Sequence, residues 1–260
     1  MNGVNKTLYI PLYGKAYVSQ RGLFLSDKKA EAIWAAESFP LKGKARSKWL
    51  AYNMGMRSAV FDRWLEEKME EVPNAVILHL GCGMDSRIDR VGTRGHLWFD
   101  VDFPEVIEER KRYFPETDRY RMVPSDIRDA SWLEQIPRDV PAILVMEGIS
   151  MYLTLPELKA ALKLWNSHFS GIHILMDTYT TFAAKATKYK NPINTVGVTQ
   201  VYGFDDPEEL CGNTGLTFLA EHSLTPDHLI ARLRKSEQLI FQKLFAGNLA
   251  KKIYRLYEYA

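Results

Sequence analysis

The stretch AVILHLGCGMDSR, residues 75–87, decides the fold, because an apolar run ends there in a glycine-rich turn. A short apolar run bounded by such a turn predicts a buried β-strand. Gly81 and Gly83 follow the run, and glycine lets the backbone turn tightly and approach a ligand with no Cβ in the way. A strand-to-helix turn without any binding role has the same composition, so the motif alone leaves both interpretations open.

Five further apolar runs follow along the chain, at residues 96–101, 120–123, 142–146, 172–176 and 216–220. They lack the in–out alternation of a half-exposed strand, which favours a parallel sheet covered on both faces. Helical stretches separate the runs. Thr154 and Glu157 form a capping box with Pro156 in the first turn, and residues 206–209 and 225–226 carry similar start signals. The pattern predicts an α/β fold with a doubly wound, mostly parallel sheet.

The chain changes character near Pro73. Residues 27–39 and 53–71 show helical periodicity, so we expect residues 1–72 to form an N-terminal helical lid or cap. Residues 73–260 would form the ligand-binding domain, with a lid insert at about 178–203. The aromatic residues of the N-terminal segment either line an acceptor site or form the small core of the lid; they are Tyr9, Tyr13, Tyr17, Phe24 and Trp34. The C-terminal LYEYA is either an antiparallel seventh strand beside the sixth or the end of a helix.

Composition excludes several classes of protein. The 260 residues carry a formal net charge of +2, which is too small for an electrostatic attraction to nucleic acid or to an anionic membrane. Two cysteines, Cys82 and Cys211, make neither a disulfide framework nor a CxxC metal site. There is no apolar run of membrane-spanning length and no signal-peptide pattern at the N-terminus. We therefore expect a cytoplasmic protein without a nucleic-acid or membrane partner; its oligomeric state is left open.

Acidic residues close the successive predicted strands. Asp102 follows the second run, Asp126 the third, Glu147 the fourth and Asp177 the fifth. Any one of them could simply cap the next helix. Because the carboxyl ends of parallel strands meet at one edge of the sheet, four acids beside a glycine turn favour a ligand site there.

The charge of this edge selects the ligand. Dinucleotides bring phosphates, which call for helix N-termini and basic residues, and Ser86 stands where a nicotinamide-binding fingerprint needs its third glycine. An acidic rim suits a ligand with a ribose, an adenine and a positive charge. S-adenosylmethionine has all three and no phosphate. Its carboxylate still needs a cation, for which Arg57 and Lys15 are the candidates, although either could be an ordinary surface charge.

Four ordered motifs, LHLGCGMDSR, WFDVDFPEVIEERK, PSDIRD and VMEGISMYLT, resemble the leucine carboxyl methyltransferase family of class I S-adenosylmethionine-dependent methyltransferases. Within that family the chain is more similar to the bacterial branch of polyketide-type O-methyltransferases. The resemblance runs from about residue 12 to residue 177 and continues more weakly beyond. It implies a Rossmann-like methyltransferase domain and an O-methyltransferase activity.

The resemblance also implies site residues. Gly81, Cys82 and Gly83 would pass under the methionine moiety, and Asp102 would hold the ribose hydroxyls. The remaining cofactor contacts would be Asp126 and Ile127 at the adenine, Glu147 at the amino group, and Arg57 and Lys15 at the carboxylate. His79 departs from the pattern, because most class I methyltransferases have an acid there, and this places more of the amino-group contact on Glu147.

Methyl transfer from a sulfonium is an in-line displacement that depends mainly on alignment. A carboxylate acceptor is already ionised at neutral pH, whereas a hydroxyl gains from a base. Asp177 and Glu147 are candidate bases, and Tyr152 and Tyr179 are candidate positioning residues, although Tyr152 could be core packing. No metal-ligand spacing is present, so we expect a metal-independent enzyme. The expected activity is methylation of a carboxylate or hydroxyl of a small molecule. The alternatives are a protein C-terminal carboxyl methyltransferase, a cofactor-binding module without catalysis and, less favoured, an NAD-dependent oxidoreductase.

Overall fold

A computed structural model of the chain describes residues 8–37, 41, 43–187 and 200–260. Its strands form one seven-stranded sheet in the order β3-β2-β1-β4-β5-β7-β6. All neighbouring pairs from β3 to β5 are parallel, and β7 runs antiparallel to both β5 and β6. The predicted doubly wound, mostly parallel sheet is confirmed. The strands are β1 Val76–Leu80, β2 Trp98–Asp102, β3 Tyr120–Pro124, β4 Pro141–Met146, β5 Gly171–Tyr179, β6 Phe218–His222 and β7 Tyr254–Tyr259.

Two strands differ from their predicted bounds. β5 continues to Tyr179, so Asp177 lies inside this strand and not at its end, as the sequence had suggested. β6 begins at Phe218, two residues later than predicted, and its pairing with β7 is irregular between Phe218 and Ala220. The C-terminal residues form β7, which settles the open question in favour of a strand. β7 lies between β5 and β6, so it pairs on both sides.

The helices follow the predicted start signals with some shifts. The predicted capping box of α6 is present, with Thr154 and Glu157 exchanging hydrogen bonds. α3 begins five residues earlier than its apolar periodicity suggested, because the Ser47 side chain caps it at Leu50. The signal at Asp206 begins only a 3₁₀ turn. The helices are α1 Tyr9–Ser19, α2 Lys28–Ala36, α3 Lys48–Glu71, α4 Arg87–Val91, α5 Pro104–Arg110, α6 Leu155–His168, α7 Thr181–Ala186, α8 Asp227–Ile230, α9 Lys235–Phe245 and α10 Gly247–Lys251, with 3₁₀ turns at Gly43–Arg46, Ala130–Gln135, Ser150–Tyr152, Pro207–Leu210 and Gly212–Thr214.

Each face of the sheet carries its own apolar layer, because successive strand residues point to opposite sides. On one face, Leu78 and Leu144 belong to a core cluster with Trp165 of α6. On the other, Ile77 and Ile143 belong to a second cluster that contains Phe61, Trp64 and Leu65 of α3. α3 therefore covers the central strands directly, and the N-terminal segment supplies part of one helical layer of the domain.

The aromatic residues of the N-terminal segment pack mainly on one another. The Tyr13 ring lies 5.0 Å from the Trp34 ring and 5.7 Å from the Tyr17 ring, measured between centroids. Phe24 packs edge-on against Tyr52 of α3 at 6.0 Å. Of the two interpretations left open by the sequence, these contacts favour the core of the segment over an acceptor-site wall. The middle of the predicted lid insert, residues 188–199, lies outside the described residues.

No helix in the described ranges is long and apolar enough to cross a bilayer.

Candidate active site

A cavity of about 680 Å³ opens where β1 and β4, the two central strands, end. This is the switch point of the strand order, where doubly wound sheets bind their ligands. All of the predicted cofactor-binding residues line it: Lys15, Arg57, Gly81, Cys82, Gly83, Asp102, Asp126, Ile127 and Glu147. Tyr152 also lines the cavity. The residues predicted from the sequence therefore lie around one cavity, to which α1, α3 and four strand ends contribute.

The glycine turn after β1 has a shape that only glycine accommodates. Gly81 has φ +62°, and a Cβ placed there would lie 2.1 Å from Cγ2 of Ile149. Gly83 has φ +51°, and its added Cβ would meet nothing closer than Leu8 at 3.5 Å. The requirement at Gly81 combines backbone conformation with close packing, whereas that at Gly83 is conformational. At these two glycines, both of which line the cavity, the turn presents backbone without a Cβ.

Asp102, the last residue of β2, is held by this turn. Its Oδ2 accepts a hydrogen bond of 2.7 Å from the backbone N–H of Gly83, and its Oδ1 accepts one of 2.7 Å from Phe103. Burial raises the pKa of Asp102 to about 6, against the two backbone hydrogen bonds that favour the ionised form. The carboxylate is thus fixed in orientation at the cavity wall, and its charge is sensitive to pH just below neutrality.

Glu147 lies between two buried arginines. Its Oε1 is 3.0 Å from both Nε and Nη2 of Arg57, and its Oε2 accepts a hydrogen bond from Arg87. Burial alone would raise the pKa of Glu147, but the two guanidinium groups outweigh it and hold the pKa at about 2. Glu147 is therefore ionised at neutral pH, and its low pKa makes it a weak base.

Asp177 is fully buried. Its Oδ2 lies 3.0 Å from Nη1 of Arg57 and accepts a 2.7 Å hydrogen bond from the Tyr254 hydroxyl. Its Oδ1 accepts a hydrogen bond of 2.7 Å from the backbone N–H of Gly148. Burial raises the pKa of this carboxyl against the attraction of Arg57. The geometry ties Asp177 to Arg57 and to the loop after β4 and leaves no side of the carboxylate exposed.

Lys15 reaches the cavity from α1 but is already paired. Its Nζ lies 3.1 Å from Oδ2 of Asp85, and both side chains are buried. Asp85 also pairs with Arg90 at 2.8 Å and with Arg87 at 3.3 Å. Burial would raise the pKa of Asp85, yet Arg90, Lys15 and Arg87 together hold it well below its usual range. Lys15 thus helps to neutralise the acid of the glycine turn.

The third strand contributes a more open part of the cavity. Asp126 is partly exposed and forms a bidentate contact with Arg128, with both carboxylate oxygens 3.0 Å from Nε. The hydrogen bonds from Arg128 lower the pKa of Asp126. Ile127 beside it packs against the apolar cluster on the α6 side of the sheet. This corner offers one acid and one apolar surface.

Cys82 and His79 are buried lining residues of different character. Burial raises the pKa of the Cys82 thiol well above its usual value, so the thiol is neutral. Nε2 of His79 lies 3.1 Å from Nη1 of Arg87, and since a guanidinium can only donate, Nε2 accepts and Nδ1 carries the proton. Burial lowers the pKa of His79, which keeps the imidazole neutral. The position two residues before Gly81 therefore carries no charge.

Three buried arginines that the sequence did not single out organise the site. Arg87 contacts Asp62 at 2.7 Å, and Arg90 contacts Asp27 at 2.7 Å, so α3 and the start of α2 are joined to the glycine turn. Arg110 of α5 donates to the carbonyls of Gly83 and Asp85 at 3.1 and 2.6 Å. Arginines on short helices usually lie on the surface, so the sequence gave little indication of this role. The one available signal was that Arg87 and Arg90 are three residues apart and therefore share a face of α4.

Another part of the cavity lining, which we name the tyrosine-rich wall, comes from α3, the ends of β4 and β5 and the C-terminal region. It contains Asn53, Met54, Met151, Tyr152, Tyr179, Gln200, Tyr202, Leu244, Phe245, Ile253 and Tyr254. The rings of Tyr179 and Tyr254 lie 5.0 Å apart. The residues of α9 and β7 in this wall were not predicted, because they come from the far end of the chain. The five N-terminal aromatics proposed as alternatives do not line the cavity.

No cluster of three or more potential metal ligands occurs within the ranges that the structure covers.

Comparisons with known proteins agree with this geometry. The sequence profile of the leucine carboxyl methyltransferase family matches residues 10–165. The chain is 28% identical to the tetracenomycin polyketide synthesis O-methyltransferase TcmP of Streptomyces glaucescens, over 92% of this chain and 90% of that protein. It is 34% identical to the S-adenosyl-L-methionine-dependent methyltransferase dpfgK of Gibberella zeae, over 59% of this chain and 57% of that protein.

Solved structures share the fold at low sequence identity. An S-adenosylmethionine-dependent methyltransferase from Mesorhizobium loti superposes with a TM-score of 0.54 at 12% identity, over 78% of this chain and 99% of that one. A magnesium protoporphyrin IX methyltransferase from Synechocystis, solved with bound SAH, superposes with a TM-score of 0.51 at 11% identity, over 98% of both chains.

The strand order and the superpositions show the fold of a class I methyltransferase, and the family match and the relatives show that the protein uses S-adenosylmethionine. Within that class, the chain belongs to the leucine carboxyl methyltransferase family. The protein is an S-adenosylmethionine-dependent O-methyltransferase, as its sequence had led us to expect.

Proposed function

We propose that the protein methylates the carboxylate of a small, flat, apolar molecule. The single observation that carries this proposal is the distribution of ionisable groups in the cavity. Among the described lining residues, every carboxylate and the one imidazole come from β1, β2, or the turns and loops after β1, β3 and β4; they are His79, Asp85, Asp102, Asp126 and Glu147. The tyrosine-rich wall consists of apolar, amide and phenol side chains.

The glycine-turn side fits the cofactor. The turn at Gly81, Cys82 and Gly83 would accept the methionine moiety, because all three residues line the cavity and the two glycines bring backbone to it without a Cβ. Asp102 would hold the ribose hydroxyls, with Asp126 and Ile127 at the adenine. Glu147 would face the amino group, and Arg57 and Lys15 the carboxylate. Both cations are already paired with acids, Arg57 with Glu147 and Asp177 and Lys15 with Asp85. When bound, S-adenosylmethionine supplies a methyl group bonded to a sulfonium, and the neutral thioether S-adenosylhomocysteine is a good leaving group.

The tyrosine-rich wall would hold the acceptor. In this proposal each of the five titratable groups on the glycine-turn side is already engaged. Glu147 is ionised with a pKa of about 2, and His79 is buried and bonded to Arg87. Asp85 and Asp126 are paired with cations, and Asp102, whose pKa is about 6, would be occupied by the ribose hydroxyls. A hydroxyl with a pKa near 10 would need a base. A carboxylate needs none, since it is already ionised. The wall's tyrosines suit a flat ring, and TcmP is itself named for polyketide synthesis, in keeping with a small-molecule acceptor.

Asp177 takes a different role in this proposal from that of the base suggested by the sequence. Its carboxylate is enclosed by Arg57, Tyr254 and Gly148, so it would act as a positioning residue for the Arg57 guanidinium. Tyr152 lines the cavity and packs beside Met151, and it would contact and orient the acceptor.

Paired acceptors of the same shape test the proposal. The purified protein is incubated with S-adenosylmethionine and either 4-methoxybenzoate or 4-methoxyphenol, and products are quantified by mass spectrometry. We expect the methyl ester from the benzoate at a rate at least 100-fold above that of the ether from the phenol, since the absence of a base costs general-base catalysis of about that size. The variant Asp102→Asn controls for product that does not depend on the cofactor site. A faster reaction with the phenol would contradict the proposal.

A further inference from the structure

An apolar strip leads out of the cavity on the acceptor side. Leu244 of α9 and Ile253 before β7 both line the cavity, and their side chains are nevertheless 53% and 45% exposed. Ile240 lies one turn before Leu244 on the same face of α9 and is 42% exposed. We name these three residues the rim strip. Single exposed apolar residues are ordinary, but a row that continues a cavity lining out to the surface is typical of a binding surface.

The rest of α9 shows that the exposure is not a consequence of a uniformly apolar helix. Phe241 is fully buried against the N-terminal helices, and Phe245 stacks on Trp49 at 5.5 Å. These aromatic residues form the face of α9 that packs on the core. Ile240 and Leu244 form a second apolar face, which remains exposed. Leu239 is 72% exposed, lies about 100° around the helix from Ile240 and does not line the cavity.

From this continuity we infer that the acceptor carries an apolar extension which leaves the cavity between Leu244 and Ile253 and lies along Ile240. The inference rests on the proposed function, because it assumes that the acceptor occupies the tyrosine-rich wall. The extension is an alkyl chain or a further ring, and it is attached on the side of the acceptor remote from the carboxylate. The carboxylate end would then point inward, toward the cofactor side.

A homologous series of acceptors tests the rim strip. Binding of 4-alkoxybenzoates, from methoxy to hexyloxy, is measured by calorimetry in the presence of S-adenosylhomocysteine, so that no turnover is needed. We expect affinity to increase about threefold to fourfold for each methylene that reaches the strip, as burial of a methylene group predicts. Ile240→Gln changes the strip outside the cavity lining. It should flatten this dependence for the longer chains and leave the affinity for the methoxy compound within about twofold of the unmodified protein.

Leu239→Gln is the matched control, since it removes an exposed aliphatic side chain from the same helix, outside both the rim strip and the cavity lining. It should leave the full chain-length dependence in place. An affinity independent of chain length would overturn the inference while leaving the proposed function standing, whereas failure of every benzoate to bind would count against the proposed function itself. Self-association that Leu244→Gln abolishes, measured by sedimentation without acceptor, would also overturn it, because a second copy would then cover the strip.

Discussion

At the scale of single residues, the site depends on charges whose state is set by their neighbours. Glu147 and Asp102 are both acids at strand ends, yet they differ in pKa. Arg57 and Arg87 outweigh the burial of Glu147 and hold its pKa at about 2, whereas burial raises that of Asp102 to about 6. The two acids therefore have different pH ranges in which they can serve a ligand.

Asp102 should make cofactor affinity depend on pH. Above pH 6 its carboxylate is ionised and can accept two hydroxyl hydrogen bonds; below pH 6 it becomes protonated and loses part of that capacity. We expect the affinity for S-adenosylmethionine to fall as pH decreases from 7.5 to 5, measured by calorimetry. Asp102→Asn should bind about 1–3 kcal/mol more weakly at pH 7.5 and show little of this pH dependence. An unchanged pH profile in the variant would remove Asp102 from the ribose contact.

A variant of Asp177 distinguishes a positioning role of this residue from a catalytic one. Asp177→Asn keeps the size of the side chain but removes the charge that faces Arg57 at 3.0 Å. A positioning role predicts a raised KM for S-adenosylmethionine, a kcat lowered less than tenfold and an unaltered pH–rate profile. Loss of a general base would instead lower kcat by roughly 10²–10⁴-fold and remove one limb of the pH profile. Steady-state kinetics between pH 6 and 9 distinguish the two roles.

At the scale of elements, the glycine turn is the feature that the sequence predicted best, because its requirement is local. A Cβ at Gly81 collides with Ile149, and the φ of +62° is unfavourable for other residues. Gly81→Ala should lower the free energy of unfolding by about 1–3 kcal/mol through backbone strain, with a further loss from the clash. Urea denaturation measures the total loss of unfolding free energy.

Two variants separate the two causes. Gly83→Ala has the backbone strain without the clash and should cost less than Gly81→Ala. Ile149→Ala creates space at Gly81, so the additional cost of Gly81→Ala should shrink in that background. Equal costs in both backgrounds would show that the contact with Ile149 is unimportant.

Other elements could not be predicted, because their role depends on distant parts of the chain. The run LYEYA has the composition of a strand and of a helix end alike, and only pairing with β5 and β6 makes it β7. Asp177 was misplaced at a strand end for the same reason, since the length of β5 follows from its pairing with β7 up to Tyr179. Arg87, Arg90 and Arg110 look like surface charges until the acids that surround them are brought together.

At the scale of the whole molecule, the N-terminal helices are joined to the sheet by packing and by charge. Phe61, Trp64 and Leu65 of α3 cover the central strands, and Arg90 pairs with Asp27 before α2. The division at residue 72 and the role of residues 1–72 as a lid remain predictions from the sequence. The packing of α3 indicates that residues 73–260 alone would expose one apolar face of the sheet.

A truncated chain tests this dependence. Residues 73–260 expressed alone should aggregate or show no cooperative unfolding transition by circular dichroism, because the apolar layer covered by α3 becomes exposed. The full chain under the same conditions is the control. A stable, cooperatively folding fragment would show that the N-terminal segment is a separate unit.

The central claim concerns the chemistry of the whole site, in which a cofactor side rich in paired charges faces an acceptor wall without a base. The most direct measurement uses an acceptor that offers both possible groups. 4-Hydroxybenzoate is incubated with S-adenosylmethionine carrying a ¹³C-labelled methyl group, and the product is assigned by NMR. The account predicts the labelled methyl ester; a labelled methyl ether as the main product would contradict it.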